Sequence, residues 1–182
     1  VVPSIASLYP STPRELVIDA LRPRSFTVRW RMPDHPLSEN VLSYVLGVAA
    51  VGGASNTSTL LQLPQTDCIG GCSQLIDASL TPIEPNTTYR LVISALNVYG
   101  SSVASDEAVA ATLPTVPSAI GSVSVSEVSG DSLRVGWSAP ASNGLPIEHY
   151  VVHVCDVQTG SCTQRRVGGM LGGGACGAWC AG

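Results

Sequence analysis

The stretch PNTTYRLVISALNVYG, residues 85–100, alternates side-chain character with almost no lapse: Tyr89, Leu91, Ile93 and Ala95 in one phase, Arg90, Val92 and Ser94 in the other. A period of two belongs to a β-strand with one face buried, because successive side chains leave a strand on opposite sides. A helix needs apolar positions every three or four residues, and no segment of the chain keeps that spacing over an ordinary helix length. The alternation recurs in FTVRW, in LRVGW and in the segments that follow Tyr44 and Tyr150. Between these runs lie Pro and Gly clusters (SLYPSTP, MPDHP, VGGAS, DCIGGC, LPTVP, SNGLP), which are turn and linker signals. Short strands separated by such turns predict an all-β, antiparallel sandwich.

Composition agrees. Charged residues are 12% of the chain, against about 25% in an ordinary soluble domain, while 18 Gly and 13 Pro favour turns over helices. A net charge of -4 leaves no basic patch for a phosphate backbone, and the only adjacent Arg pair is Arg165 and Arg166, so nucleic-acid binding is not expected. The longest nearly uncharged apolar run, residues 44–54, is far short of the roughly 20 residues a membrane helix needs, so no membrane span is expected.

The chain repeats itself. LYPSTPRELVID, with Pro13 ahead of Leu16, is echoed by LPTVPSAIGSVSV, with Pro117 ahead of Ile120. Each is followed by an alternating strand that ends in Trp, at Trp30 and Trp137, and by a proline, Pro33 and Pro140. An aliphatic residue then precedes a tyrosine by three: Val41 before Tyr44, Ile147 before Tyr150. Two copies of one module account for this. The first reads as strands over 15–20, 25–31, 43–51, 57–63, 74–79, 89–97 and 105–112, a complete seven-strand sandwich. The second supplies strands near 122–128, 131–137, 149–156 and 161–167.

These residues carry a family resemblance. The chain resembles tandem fibronectin type III modules, in which a Trp closes the second strand, a Tyr opens the third, and a Leu-x-Pro-x-Thr-x-Tyr element leads into a sixth strand ending Ala-x-Asn-x-x-Gly. Here the first copy reads Ile83, Pro85, Thr87, Tyr89, Leu91, Ile93, Ala95, Asn97 and Gly100, beside Trp30 and Tyr44; the second has Trp137 and Tyr150. The resemblance implies an immunoglobulin-like sandwich in which Tyr89 buries its ring and bonds its hydroxyl back to nearby backbone. It implies a linker, or the end of a preceding module, over 1–12; a complete module over 13–113; a linker over 114–118; and a partial module over 119–167. The Gly-rich tail, 168–182, cannot supply the missing strands, since Gly has no side chain to bury and is costly to order; disorder is expected there. The second copy has no Pro-x-Thr-x-Tyr element, so its core face is expected to be bare. With no initiator Met and no signal peptide, the chain is expected to be a piece of a longer protein.

The six cysteines fall in three close pairs: Cys68 with Cys72, Cys155 with Cys162, and Cys176 with Cys180. Cys155 and Cys162 flank the turn DVQTGS between adjacent strands, where a hairpin brings two Cα atoms within disulfide reach. Cys68 and Cys72 enclose IGG, a loop flexible enough to close on itself. Zinc is the competing reading, but tetrahedral zinc wants four ligands on facing arms and these pairs lie in different modules, so neither metal nor cofactor is expected. Two glycosylation sequons begin at Asn56 and Asn86, both in predicted turns. With the cysteine pairs they point to an extracellular or cell-surface location, because disulfides persist in oxidising compartments.

His149 and His153, four apart on a strand, face one side, and about 13 Å of extended chain between them prevents their sharing one ion. Asp106 and Glu107 are adjacent and expected on opposite faces. No nucleophile elbow, phosphate loop or HExxH is present, and no Arg-Gly-Asp follows the sixth strand, so no catalytic residue is assigned. The expected function is a non-catalytic binding or spacer segment of a receptor, adhesion or matrix protein, with protein or carbohydrate partners. The alternatives are spacer modules of a secreted carbohydrate-active enzyme and a cytoplasmic structural array.

Overall fold

The computed structural model describes residues 8–33, 41–51, 58–65, 68, 71–126, 129–130, 132–169 and 179–180. Every regular element among them is a strand, in two compact units, Val1–Leu113 and Pro114–Gly182.

In the first unit, β1 (Arg14–Asp19), β2 (Phe26–Arg31) and β5 (Cys72–Ile76) form one antiparallel sheet in the order β1-β2-β5. The second sheet has the order β4-β3-β6, from β4 (Ser58–Pro64), β3 (Ser43–Val51) and β6 (Thr88–Asn97), with β7 (Gly100–Ser101) and β8 (Ala108–Ala111) on the far edge of β6. The alternation chooses which face is buried. Phe26, Val28 and Trp30 of β2 meet Tyr44, Leu46 and Val48 of β3, Leu61 and Leu63 of β4, and Tyr89, Leu91, Ile93 and Ala95 of β6 in one core. Phe26 stacks tilted on Tyr89 with ring centroids 5.6 Å apart, and Trp30 meets Tyr44 edge-on at 5.2 Å. Each fully buried Leu or Ile contributes about 1.5–3 kcal/mol relative to leaving it in water.

Three departures from simple alternation have local causes. β1 slips by one residue against β2 between Arg14 and Val17, with Glu15 at φ 52°, a β-bulge. The bulge accompanies a cross-strand ion pair between Glu15 and Arg31 at 2.8 Å; Asp19 meets Arg29 at 3.0 Å farther along. The last strand, expected over 105–112, is shorter, β8 over Ala108–Ala111, and the two-residue β7 precedes it on the same edge. Between them Ser102 and Ser105 take over the ladder: their amides donate to the carbonyls of Ala95 and Ile93, and their hydroxyls accept from the amides of the same two residues. A serine hydroxyl replaces a backbone acceptor without requiring extended backbone through the gap. Residues 8–10, expected to be linker or the end of a preceding module, lie against this unit: Pro10 is buried, and the Leu8 carbonyl accepts a hydrogen bond from Asn97.

In the second unit, β9 (Val123–Ser126) pairs with β10 (Arg134–Trp137), and β11 (His149–Cys155) with β12 (Cys162–Gly168). Trp137 and Tyr150 repeat the edge-on contact at 5.2 Å. Within the tail, expected to be disordered, Trp179–Cys180 form β13 beside β10. Among the described residues of this unit, Val135 and Trp137 are the buried apolar ones, whereas Val123 and Val125 are 62% and 58% exposed.

Candidate functional site

The Pro-x-Thr-x-Tyr element is a hydrogen-bonded corner ahead of β6. Tyr89, 4% exposed, directs its hydroxyl out of the core to accept the Glu84 amide at 2.8 Å. Pro85 is buried, and its carbonyl accepts from the Thr87 hydroxyl at 3.0 Å. Thr112, beyond β8, closes the corner: its hydroxyl donates to the Glu84 carbonyl at 2.7 Å and accepts the Thr87 amide at 3.0 Å. Pro85, Thr87 and Tyr89 are therefore joined to the end of the module, and Thr112 and Glu84 are partners that no sequence motif signalled. Tyr89→Phe leaves the Glu84 amide without its acceptor and is expected to cost about 1–3 kcal/mol, read as an earlier unfolding midpoint in urea with an unchanged slope.

Asn97 does the equivalent work at the other end of β6. Its residue is 5% exposed; Oδ1 accepts the amides of Tyr99 and Gly100, and Nδ2 donates to the Leu8 carbonyl at 2.8 Å. Gly100 has φ 141°, and a Cβ there would lie 2.7 Å from the Tyr9 ring, so both conformation and space select glycine.

Two of the cysteine pairs are bonded: Cys68 to Cys72, and Cys155 to Cys162 across the β11–β12 hairpin, where the two residues are register partners. Cys72 lies opposite Trp30 in the ladder, and its Sγ is 3.9 Å from the Tyr44 hydroxyl. Burial pushes the Tyr44 phenol above its ordinary range, offset in part by the neighbouring Trp30 indole. In the hairpin turn, Asp156 accepts the amides of Thr159 and Gln158, which hold its carboxyl below the usual range. Asp77 is lowered likewise by the hydroxyl and amide of Ser79.

Asn86 is exposed in a turn at φ 47°, a left-handed conformation that Asn tolerates better than most residues. Asn56 and Cys176 lie outside the described residues, and Cys180 is placed by its backbone pairing alone. His149 and His153 are both exposed on β11. Glu107 meets Arg90 at 3.6 Å, and Asp106 precedes β8. Among the described residues, no three His, Cys, Asp or Glu side chains gather to hold a metal, and no helix is long and apolar enough to cross a membrane.

The chain is similar to segments of several known proteins. Human pikachurin is 28% identical over 146 residues, covering 77% of this chain and 14% of pikachurin. Human netrin receptor DCC is 28% identical over 171 residues, covering 93% of this chain and 11% of the receptor. The chain thus spans a small fraction of the curated relatives it matches. Among solved structures, one described as a myokine structure aligns with a TM-score of 0.45 at 21% identity, covering 57% of this chain and 98% of its own. The FN5 domain of Drosophila Lar aligns at 0.44 and 21%, covering 58% and 99%. The family model of the fibronectin type III domain matches residues 11–111, more than half of the chain. With the two-sheet core, the Trp30–Tyr44 contact and the Tyr89 corner in place, the chain belongs to the fibronectin type III family.

Proposed function

We propose that this chain is a non-catalytic, adhesion- or receptor-type segment of an extracellular protein, acting as a binding or spacer module. The observation that carries the reading is where the distinctive side chains go. Phe26, Trp30, Tyr44 and Tyr89 are all buried in the core of the first unit, and the motif around Tyr89 is consumed in bonding its own backbone. What remains for a partner is loops and outer sheet faces. On the outer face of β4-β3-β6, Leu60, Gly47 and Val92 lie in one cross-strand row, with Leu60 73% exposed. That row is uncharged, which suits a protein partner better than a polyanion.

The two disulfides support an oxidising compartment, since such bonds persist outside the cytosol. The name of one relative, netrin receptor DCC, supports the receptor-type reading. We divide the chain as a module over 13–113, a linker over 114–118 and a partial module over 119–167, with Asn56 and Asn86 as glycan acceptors.

Intact mass of the chain secreted from eukaryotic cells tests the reading. The expected result is a mass that rises on reduction by at least the hydrogens of the two disulfides and falls on removal of N-linked glycans, with Asn86 converted to Asp. Free thiols at Cys68, Cys72, Cys155 and Cys162 in the secreted protein would favour the cytoplasmic array and overturn the extracellular assignment.

A further inference from the structure

The two disulfides differ in where they sit. Cys72 is 4% exposed, opposite Trp30 in the ladder and next to the Tyr44 hydroxyl, and Cys68 is half-buried against the same core. Cys155 and Cys162 are both exposed. β11 alternates, with Tyr150, Val152 and Val154 half-buried and Val151, His153 and Cys155 exposed, so this bond lies on the outer face of the hairpin, beside His153 and its register partner Gln164. The first unit shows that the position faces outward in the module itself. Counted from Tyr44 and Tyr150, Cys155 corresponds to Ala49, which is half-buried and has the exposed Ser58 as its register partner.

The hairpin does not depend on the bond. Its strands are joined along the whole ladder from His149 opposite Gly168 to Cys155 opposite Cys162. The turn beyond holds itself: the Asp156 carboxylate accepts the amides of Gln158 and Thr159 at 2.7 and 3.1 Å, the Asp156 amide donates to the Ser161 carbonyl, and the Asp156 carbonyl accepts the Gly160 amide. The first unit makes the corresponding pairing of Ala49 with Ser58 without sulfur. The bond spans a sequence separation of 7, and short loops give the least of the chain-entropy stabilisation that a disulfide confers. The Cys68–Cys72 separation is shorter still, at 4, so access rather than loop length separates the two bonds. An attacking thiolate has to reach a sulfur, and exposed disulfides are the ones that exchange.

We propose that the Cys155–Cys162 disulfide is a thiol-exchange site that takes up a low-molecular-weight aliphatic thiol, while Cys68–Cys72 stays closed. The incoming thiolate bonds to one Sγ of the pair as the Sγ–Sγ bond breaks. The other cysteine leaves with the bonding electron pair as a thiolate and takes a proton from water. One disulfide is exchanged for another, so no further oxidant or reductant is needed. The product is a mixed disulfide on the outer face of the hairpin with a free thiol directly across the ladder, placed to reverse the step by expelling the bound thiol. The inference rests on the oxidising compartment proposed above, which puts the bond in place before the thiol arrives.

The test uses the full chain secreted from eukaryotic cells, treated with reduced glutathione for increasing times, after which free thiols are trapped by alkylation and peptide masses report each cysteine. The peptides carrying Cys155 and Cys162 are expected to gain one whole glutathione, with one cysteine linked and the other alkylated, at a rate at least about tenfold that of opening at Cys68–Cys72. Amide exchange over residues 150–154 and 163–166 is expected to stay within about twofold of the untreated chain. The double variant Cys155→Ser with Cys162→Ser is expected to keep that protection and to take up no glutathione at the hairpin. Equal rates at the two disulfides, opening to two free thiols with no linked glutathione, or loss of hairpin protection on opening or in the double variant overturns the exchange site and leaves the extracellular assignment standing. Cys155 and Cys162 already free in the secreted chain overturns both.

Discussion

Ile93→Ala is expected to destabilise the first unit by about 2–5 kcal/mol, a large fraction of the roughly 5–15 kcal/mol that holds a domain folded. Ile93 is fully buried, as is its cross-strand partner Leu46, and the core around it draws side chains from both sheets. A cavity made there is walled by packed strands that relax only partly, so the lost contacts add to the lost transfer energy. Hydrogen exchange at the β3 and β6 amides reports this unit alone, and the free energy of opening should fall by that amount. An unchanged opening energy would remove Ile93 from the core. The smaller truncation in the second unit, Val152→Ala, which removes two carbons where Ile93→Ala removes three, is expected to cost far less. Val152 is half-buried on the wall of an open groove, where water already reaches the site.

Asn97→Ala is expected to cost about 1–3 kcal/mol, because the amides of Tyr99 and Gly100 lose their acceptor and the Leu8 carbonyl loses its donor. Asn97→Asp separates the two roles. The carboxylate still accepts both amides but donates nothing, so the turn after β6 should persist while residues 8–10 come loose. Limited proteolysis should then cleave near Tyr9 in both variants, and amide exchange at Tyr99 and Gly100 should quicken in Asn97→Ala only. If neither variant exposes the N-terminal segment, the bond to Leu8 does not anchor it.

The two substitutions probe different kinds of legibility. Ile93 was readable as a core residue because a strand's period of two commits every second side chain to one face, and the run from Tyr89 to Ala95 has no break in phase. Trp30 with Tyr44 and Trp137 with Tyr150 were readable because the repeat presents them twice at nearly equal spacing. The paired cysteines were readable from the turns they flank. The anchoring of Leu8 was not readable. Nothing in SLYP marks it as part of a sandwich, and its tie is a backbone carbonyl, which every residue possesses. The hydrogen bonds of the serines between β7 and β8 were equally silent, since Ser102 falls in the expected loop and Ser105 opens the strand expected over 105–112. Their role exists because Ile93 and Ala95 present amides on that edge. The Glu15 bulge likewise depends on the position of Arg31 across the ladder.

By itself the sequence determined the strand faces, the duplicated module and the corner motif, because these follow from periodicity and spacing along one chain. The tertiary structure alone decided which polar groups satisfy one another across the ladders. It also decided that Leu8 is tied to Asn97, since pairing joins residues far apart in the chain and their geometry exists once the sheets are assembled.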